Sequence, residues 1–285
     1  MQQKQDNWNI VIKPAPGWLE LHLDDLWRYK DLIWMFVKRD FISIYKQTIL
    51  GPLWFIIQPI LTTLMFMVVF AGVAKIPTGG MPSVLFYLSG LTIWNYFSTA
   101  FNKISSTFTV NASVFGKVYF PRMVVPLSSV LSNLISFGIQ FGLLLIILVY
   151  YIATGGYSFH LTSYIFFLPV VLFLMAALAL GLGIIVSSMT TKYRDLSFLV
   201  AFGVQLLMYG TPIIYPLSFL KGSKYLPIIK ANPLTSLVEL FRLAMFGTGT
   251  FEWNQFLYSV SFTVVSVVIG LIIFNRVEKS FMDTV

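Results

Sequence analysis

Residues 123–191 read MVVPLSSVLSNLISFGIQFGLLLIILVYYIATGGYSFHLTSYIFFLPVVLFLMAALALGLGIIVSSMTT, and no Asp, Glu, Lys or Arg occurs between Arg122 and Lys192. A bilayer core about 30 Å thick is crossed by about 20 apolar helical residues. The stretch is therefore too long for one crossing and well sized for two. Gly155 and Gly156, followed by Tyr157, Ser158 and His160, supply the turn of a hairpin, which puts spans near Met123 to Ile152 and Ser163 to Ser188.

Outward from the hairpin, the same criterion finds further charge-free intervals. One runs from Gln47 to Ala74, where Gly51 and Pro52 mark a turn that opens a helix near Leu53. Another lies between Lys75 and Lys103; Pro77, Gly79, Gly80 and Pro82 spoil its start and leave Val84 to Phe101. Downstream come Leu196 to about Tyr215 and Phe256 to Asn275. The expectation is an all-α integral membrane protein: a cytoplasmic N-terminal segment over residues 1–46, then one six-span domain over residues 47–285.

Composition agrees. Of 285 residues 57% are hydrophobic and 11% charged, against roughly 25% charged in soluble domains. The net charge of +8 is spread beside the apolar spans, which points to lipid headgroups and away from nucleic acid. With no cysteine, disulfides, thiol nucleophiles and cysteine metal sites are excluded. The polar Met1–Lys13 stretch has no apolar core after a basic start, so it does not read as a cleavable signal peptide.

The segment from Pro216 to Trp253 carries Lys221, Lys224, Lys230, Glu239, Arg242 and Glu252, charges that a lipid-facing helix would not tolerate. Its halves, Leu217 to Lys230 and Pro233 to Phe246, are too short to span. They read as two short re-entrant or interfacial helices broken at Asn232-Pro233; the alternative is a surface loop with one amphipathic helix. With both termini inside, fourteen Lys and Arg fall on inner segments and five on outer ones, the bias expected of a membrane protein in that orientation.

Asp24 to Lys46 reads as an interfacial helix. Leu26, Tyr29, Ile33, Phe36 or Val37, Phe41 and Ile44 recur at three- to four-residue steps, Arg28, Lys30, Asp31, Lys38 and Arg39 form the polar side, and Trp27 and Trp34 suit the headgroup level.

No internal repeat and no glycine-rich phosphate loop is present. His22 and His160 fall on opposite sides of the membrane and lack metal-ligand spacing. The spans hold almost no ionisable residue, which argues against proton coupling and requires energy from a partner. Three spans instead carry uncharged polar and aromatic stripes: Trp54, Gln58, Thr62, Phe66 and Phe70; Tyr87, Leu91, Asn95, Ser98 and Asn102; and Phe198, Phe202, Gln205 and Tyr209. Rings stack on pyranose faces while amides and hydroxyls exchange hydrogen bonds, so such stripes suit a sugar path. Helix packing is the competing use. Gly138 and Gly142 form a small-xxx-small pair that permits close helix approach. Two inner loops, Asn111–Lys117 and Thr190–Asp195, carry more aromatic and charged content than a connection needs; Asn111, Phe115, Lys117, Lys192, Tyr193, Arg194 and Asp195 are candidate contacts to a cytosolic partner, with Phe115 as anchor.

The run Trp27-Arg-Tyr-Lys-Asp-Leu-Ile-Trp34, Arg39-Asp-Phe41, Tyr45-Lys-Gln-Thr-Ile-Leu-Gly-Pro-Leu-Trp54 and Gln58-Pro59 resembles the permease subunits of polysaccharide ABC exporters, the ABC-2 family. Lys117-Val-Tyr-Phe-Pro-Arg122, Tyr193-Arg-Asp195, Thr211-Pro212 and Asn232-Pro-Leu234 extend the resemblance over nearly the whole chain. It implies a non-enzymatic homodimeric permease in a bacterial inner membrane with two separate ATPase subunits, which bind ATP and Mg, an interfacial helix before span one and two short outer helices after span five. The cargo it implies is lipid-linked polysaccharide, most similar to the O-antigen branch, with teichoic acid or capsule exporters as alternatives. Arg28, Lys38 and Arg39 then offer charge to the pyrophosphate of such a substrate, in competition with headgroups. A drug or small-lipid exporter is a nearer rival; a membrane enzyme acting on lipid-linked sugars would need a cluster of acids, bases or metal ligands that the sequence does not offer.

Overall fold

The hairpin turns where its glycines stand. The computed structural model describes residues 23–46, 49–118, 120–159, 162–190, 193 and 195–281. Its helices are α1 (Leu23–Arg28), α2 (Lys30–Lys46), α3 (Trp54–Phe66), α4 (Ser83–Ser105), α5 (Thr107–Val110), α6 (Ala112–Phe115), α7 (Val124–Ala153), α8 (Leu168–Thr190), α9 (Leu196–Tyr209), α10 (Leu226–Lys230), α11 (Pro233–Phe246) and α12 (Trp253–Phe281). After α7, Gly155 takes φ +69°, a left-handed conformation that suits glycine. The 3-10 turn Ser163–Phe167 then leads directly into α8. No strand occurs among the described residues. His22 and His160 lie outside them.

Among the described residues, four segments are long and apolar enough to cross a membrane: Gly51–Val73, Val124–Ala153, Ser163–Thr190 and Trp253–Val277. The first starts at Gly51, with φ +50°, and Pro52, as the sequence suggests, and its far end widens into a π-helical turn over Met67–Val73. The other two expected spans differ. Helix α4 has 23 residues, about 35 Å at 1.5 Å per residue, but it carries Ser89, Thr92, Asn95 and Asn102, and sixteen of its residues are buried. It runs through the middle of the protein and need not be greasy all round. Helix α9 is apolar but stops after 14 residues, about 21 Å. The continuous fifth helix expected through Tyr215 is therefore corrected. Pro212 has no N–H to continue a helix and crowds the turn before it, and residues 211–214 are buried in a non-helical run instead.

Helix α4 packs against α7 and α8, and α8 in turn packs against α12. Glycines on α8 allow this. A Cβ at Gly183 would lie 2.7 Å from the Ile104 side chain of α4, and one at Gly181 would lie 2.7 Å from the Val267 backbone nitrogen of α12. Gly138 and Gly142, which the sequence nominates for close approach, face open space on α7.

Helix α2 turns its predicted stripe inward, burying Phe36 and Val37, while Trp27 and Trp34 remain exposed. Phe36 joins Ile104, Phe108, Phe115, Phe120 and Phe274 in a core at one end of the bundle. The opposite end is built around α11. Asn232 caps that helix by accepting from the Leu234 N–H at 3.0 Å, Pro233 occupies its first turn, and Gly247 ends it at φ +67°. Eleven of its 14 residues are buried, whereas residues 218–230 before it are exposed or half-buried and form only the 3-10 turn Leu217–Leu220 and the five-residue α10.

Candidate translocation face, coupling loops and a buried ion pair

The three polar-aromatic stripes separate in space. On α3, Trp54 and Gln58 are exposed, Thr62 returns its hydroxyl to the Gln58 carbonyl at 2.9 Å, and Phe66 is half-buried against Phe70 and Tyr87. On α9, Phe198 is 80% exposed and Phe202 60%, with Gln205 and Tyr209 also exposed. Both helices lie along α4. Each therefore presents an uncharged aromatic and amide face that the described residues leave exposed.

The α4 stripe is different, since neighbouring helices engage Tyr87 and Asn95. Tyr87 is fully buried, its ring against Phe66, Phe70 and Phe86. Asn95 donates across to Gln140 of α7 at 3.2 Å. In this chain the Tyr87 ring and the Asn95 amide hold helices together, because the helix that carries them is central. Helical spacing shows that residues share a face, but not whether that face meets lipid, a passage or another helix.

Among the coupling candidates, Asn111 donates to the Thr107 carbonyl at 3.0 Å and shapes the joint between α5 and α6. Phe115 does not sit on the exposed side of its loop. It is buried between Phe108 and Phe120, with the Arg122 guanidinium 5.6 Å from its ring centroid. An aromatic in a short loop next to a hydrophobic core turns inward, so Phe115 braces the loop from within. The exposed side of the two short helices instead shows Val110, Ser113, Lys117 and Val118, and nearby in sequence Tyr193 and Asp195 are exposed as well. Lys192 and Arg194 lie outside the described residues.

Arg28 at the end of α1 and Lys38 and Arg39 on α2 are all exposed. Arg39 bonds Asp40 at 2.8 Å and sits 4.4 Å from the Phe36 ring centroid, so part of its charge is already engaged. Arg28 and Lys38 are the freer pair for an anionic headgroup.

The sequence places Glu239 and Arg242 on the second short helix, Pro233 to Phe246, as charges that lipid would not tolerate, but names no partner for either. Three residues apart, they share one face of α11, and that face is buried. Arg242 donates from Nη1 to the Pro212 carbonyl and from Nη2 to Ile213 O at 2.9 Å and Phe86 O at 3.4 Å. Its guanidinium carbon stands 3.9 Å from the Phe86 ring centroid. Glu239 lies 3.8 Å away and accepts from the backbone N–H groups of Leu217 at 3.2 Å and Thr250 at 3.0 Å. Irregular backbone at membrane depth is tolerated only where its polar groups are satisfied. The pair does this for the run that follows α9. Burial lowers the Arg242 pKa to about 10, with Glu239 and Tyr87 opposing the shift, and the guanidinium stays charged at neutral pH.

A sequence profile of the ABC-2 type transporter family matches residues 31–246, from α2 through the last residue of α11. The O-antigen export system permease protein RfbA of Klebsiella pneumoniae is 30% identical over 254 residues, which cover 89% of this chain and 94% of that protein. The protein of the same name from Myxococcus xanthus is 26% identical over 262 residues, 92% of this chain and 98% of its own length. The polysialic acid transport protein KpsM of Escherichia coli is 24% identical over 237 residues, 82% of this chain and 89% of its own length.

Proposed function

The chain belongs to the ABC-2 type transporter family, and from that premise we propose that it is the membrane subunit of an ATP-driven exporter that moves lipid-linked polysaccharide, O-antigen by preference, out of the cytoplasm. The observation that carries this reading is the pair of exposed, uncharged aromatic and amide faces on α3 and α9. A glycan is hydrophilic and longer than the bilayer is thick, so its path needs many weak contacts that release each sugar in turn. Fixed charges would trap it. Two copies of the chain, each turning α3 and α9 toward the other, would enclose such a path. Trp54, Gln58, Phe198, Phe202, Gln205 and Tyr209 line it in this reading.

Six crossings follow if α4 and the α9 segment, the latter lengthened by the run 211–217, are added to the four apolar spans. Both termini and α2 then face the cytoplasm, where Arg28 and Lys38 meet headgroups or a substrate's pyrophosphate. The Val110, Lys117, Val118 and Tyr193 surface meets a separate ATPase, two copies per exporter, which binds the ATP and Mg. The ring of Tyr193 and the apolar side chains of Val110 and Val118 are the contacts most suited to a partner pocket.

The relatives named for O-antigen export favour that cargo, and the relative named for polysialic acid transport keeps a capsule-type glycan as the second reading. Deleting the chain should abolish surface polysaccharide and leave lipid-linked glycan inside the cell, with recovery only when the ATPase partner is catalytically competent. Undiminished surface polysaccharide in the deletion strain would refute the reading. Hydrolysis by the purified complex stimulated by a drug or a short lipid, and not by lipid-linked glycan, would transfer it to a small-molecule exporter.

A further inference from the structure

We propose that the exposed arm from Phe219 to Lys230 lies in the outer leaflet and binds the phosphate of anionic phospholipids through Lys221 and Lys224. The inference rests on the reading that places this arm outside, but not on the identity of the cargo.

The depth of the arm follows from its ties to α12. The Lys230 carbonyl accepts from Gln255 Nε2, the Ala231 carbonyl accepts from the Tyr258 hydroxyl at 2.8 Å, and the Lys230 ammonium meets Glu252 at 2.6 Å. Tyr258 stands five residues into the apolar segment that starts at Trp253, about 7.5 Å along the axis at 1.5 Å per residue. The end of α10 is therefore level with the first turns of a span. A second span marks the same level. Helix α8 packs beside α12, and where the two apolar segments begin, the rings of Phe167, Phe251, Trp253 and Phe256 cluster with centroids 4.9 to 6.4 Å apart. Aromatic rings at the ends of spans settle at the headgroup level.

The arm has the surface that such a place requires. Phe219, Tyr225 and Ile228 are each more than half exposed, which is unfavourable in water and favourable at the boundary of headgroups and acyl chains. Among them stand the exposed Lys221 and Lys224, on either side of a turn that Gly222 makes at φ +84°. The Lys224 ammonium lies 5.2 Å from the Tyr225 ring centroid, and among the described residues neither lysine forms an ion pair.

Charge decides what covers the arm. No Asp or Glu occurs between Asp195 and Glu239. On the segments read as outward the carboxylates are Glu239, buried beside Arg242, and Glu252, held by Lys230. A second copy of the chain would bring more lysine to this side and no free carboxylate. An anionic phospholipid brings a phosphate, and lysine stems can lie along the apolar surface while their ammonium groups reach it.

The test uses the full permease labelled with a dye on Ser223→Cys, in a chain with no other cysteine, and reconstituted with its ATPase into nanodiscs. Quenching by spin-labelled phosphatidylglycerol is compared with quenching by spin-labelled phosphatidylcholine. The anionic lipid should quench at a mole fraction about fivefold lower. Lys221→Gln with Lys224→Gln should bring the two lipids to parity at unchanged ATPase stoichiometry. Equal quenching by both lipids in the wild type, or a preference that survives loss of both lysines, would overturn the proposal. Quenching by acrylamide alone would place the arm in water, and self-quenching between dyes with neither lipid effective would put a second copy over it; either result refutes lipid binding. Labelling of the same cysteine by an impermeant thiol reagent in intact cells reads the outward placement on its own. An unlabelled site with an intact lipid preference would move the arm to the inner leaflet and overturn the outer-leaflet assignment. Neither readout involves a glycan, so both stand if the polysaccharide reading fails.

Discussion

Helices α9 and α11 have 14 residues each, stand close together in sequence and are treated in opposite ways. Helix α9 carries no charge and buries only Val204. Helix α11 carries Glu239 and Arg242 and buries both. In water the assignment would be reversed, because apolar surface is removed from solvent and charge is left in it. In a bilayer the lipid tails are as apolar as leucine, so a greasy helix gains little from hiding. Charge must find partners inside the protein. The contrast teaches that burial in this chain follows hydrogen-bonding need more than hydropathy.

The contrast breaks most sharply at Glu239. Glu239→Ala leaves Arg242 buried without its counter-charge and strips the acceptors from Leu217 N and Thr250 N, at a cost of about 3–5 kcal/mol. Gln205→Ala on the exposed face of α9 should change stability by less than about 0.5 kcal/mol. Heating detergent-solubilised protein and following the folded fraction by size exclusion measures both. Equal midpoints for the two variants would erase the distinction between the helices.

A smaller difference is expected for leucine truncation. Leu240→Ala on α11, where the side chain is fully buried, should cost about 2–5 kcal/mol. Leu206→Ala on α9, where it is 53% exposed, should cost little in the same assay. If the α9 variant loses as much as the α11 variant, its face is covered in the membrane, and a second copy is the natural cover.

Function sharpens the comparison further. If the α9 face contacts sugars, loss of two rings in Phe202→Ala with Tyr209→Ala should lower the rate of polysaccharide export about tenfold, from about 0.5–1.5 kcal/mol per ring contact. Dimer assembly and ATPase binding should be unchanged. Normal surface polysaccharide at wild-type expression would make the face an ordinary lipid contact.

How much of this was legible in the sequence depended on how local the cause was. The α7–α8 hairpin followed from Gly155 and Gly156, and the start of α11 from Asn232-Pro233, because turn and cap chemistry act within a few residues. The inward stripe of α2 followed from spacing. The fate of the Tyr87–Asn102 stripe did not, since a bilayer leaves an apolar face free to meet either lipid or protein. The inward turn of Phe115 was not legible because its partners Phe108 and Phe120 form a core only once α2, α4 and α12 meet. The break after α9 was hidden for the same reason: what makes non-helical backbone affordable there is an arginine some thirty residues downstream.

The smallest expected effect concerns the joint between the two helices, which a single side chain spans. Asn232 caps α11 through Oδ1, and through Nδ2 it donates to the Gly210 carbonyl at 3.0 Å and the Thr211 hydroxyl at 2.9 Å, just past the end of α9. The two jobs can be separated. Serine is as good an N-cap as asparagine but is too short to reach Gly210. Asn232→Ser should therefore keep the cap and lose the tie, at about 1 kcal/mol for hydrogen bonds exchanged with water or lost. Asn232→Ala loses both and should cost about 2 kcal/mol. The gap between the two variants measures the cap, and the gap between serine and the wild type measures the tie. If Asn232→Ser unfolds at the wild-type temperature while Asn232→Ala does not, α9 and α11 are joined through Arg242 alone, and the amide serves only to start the second helix.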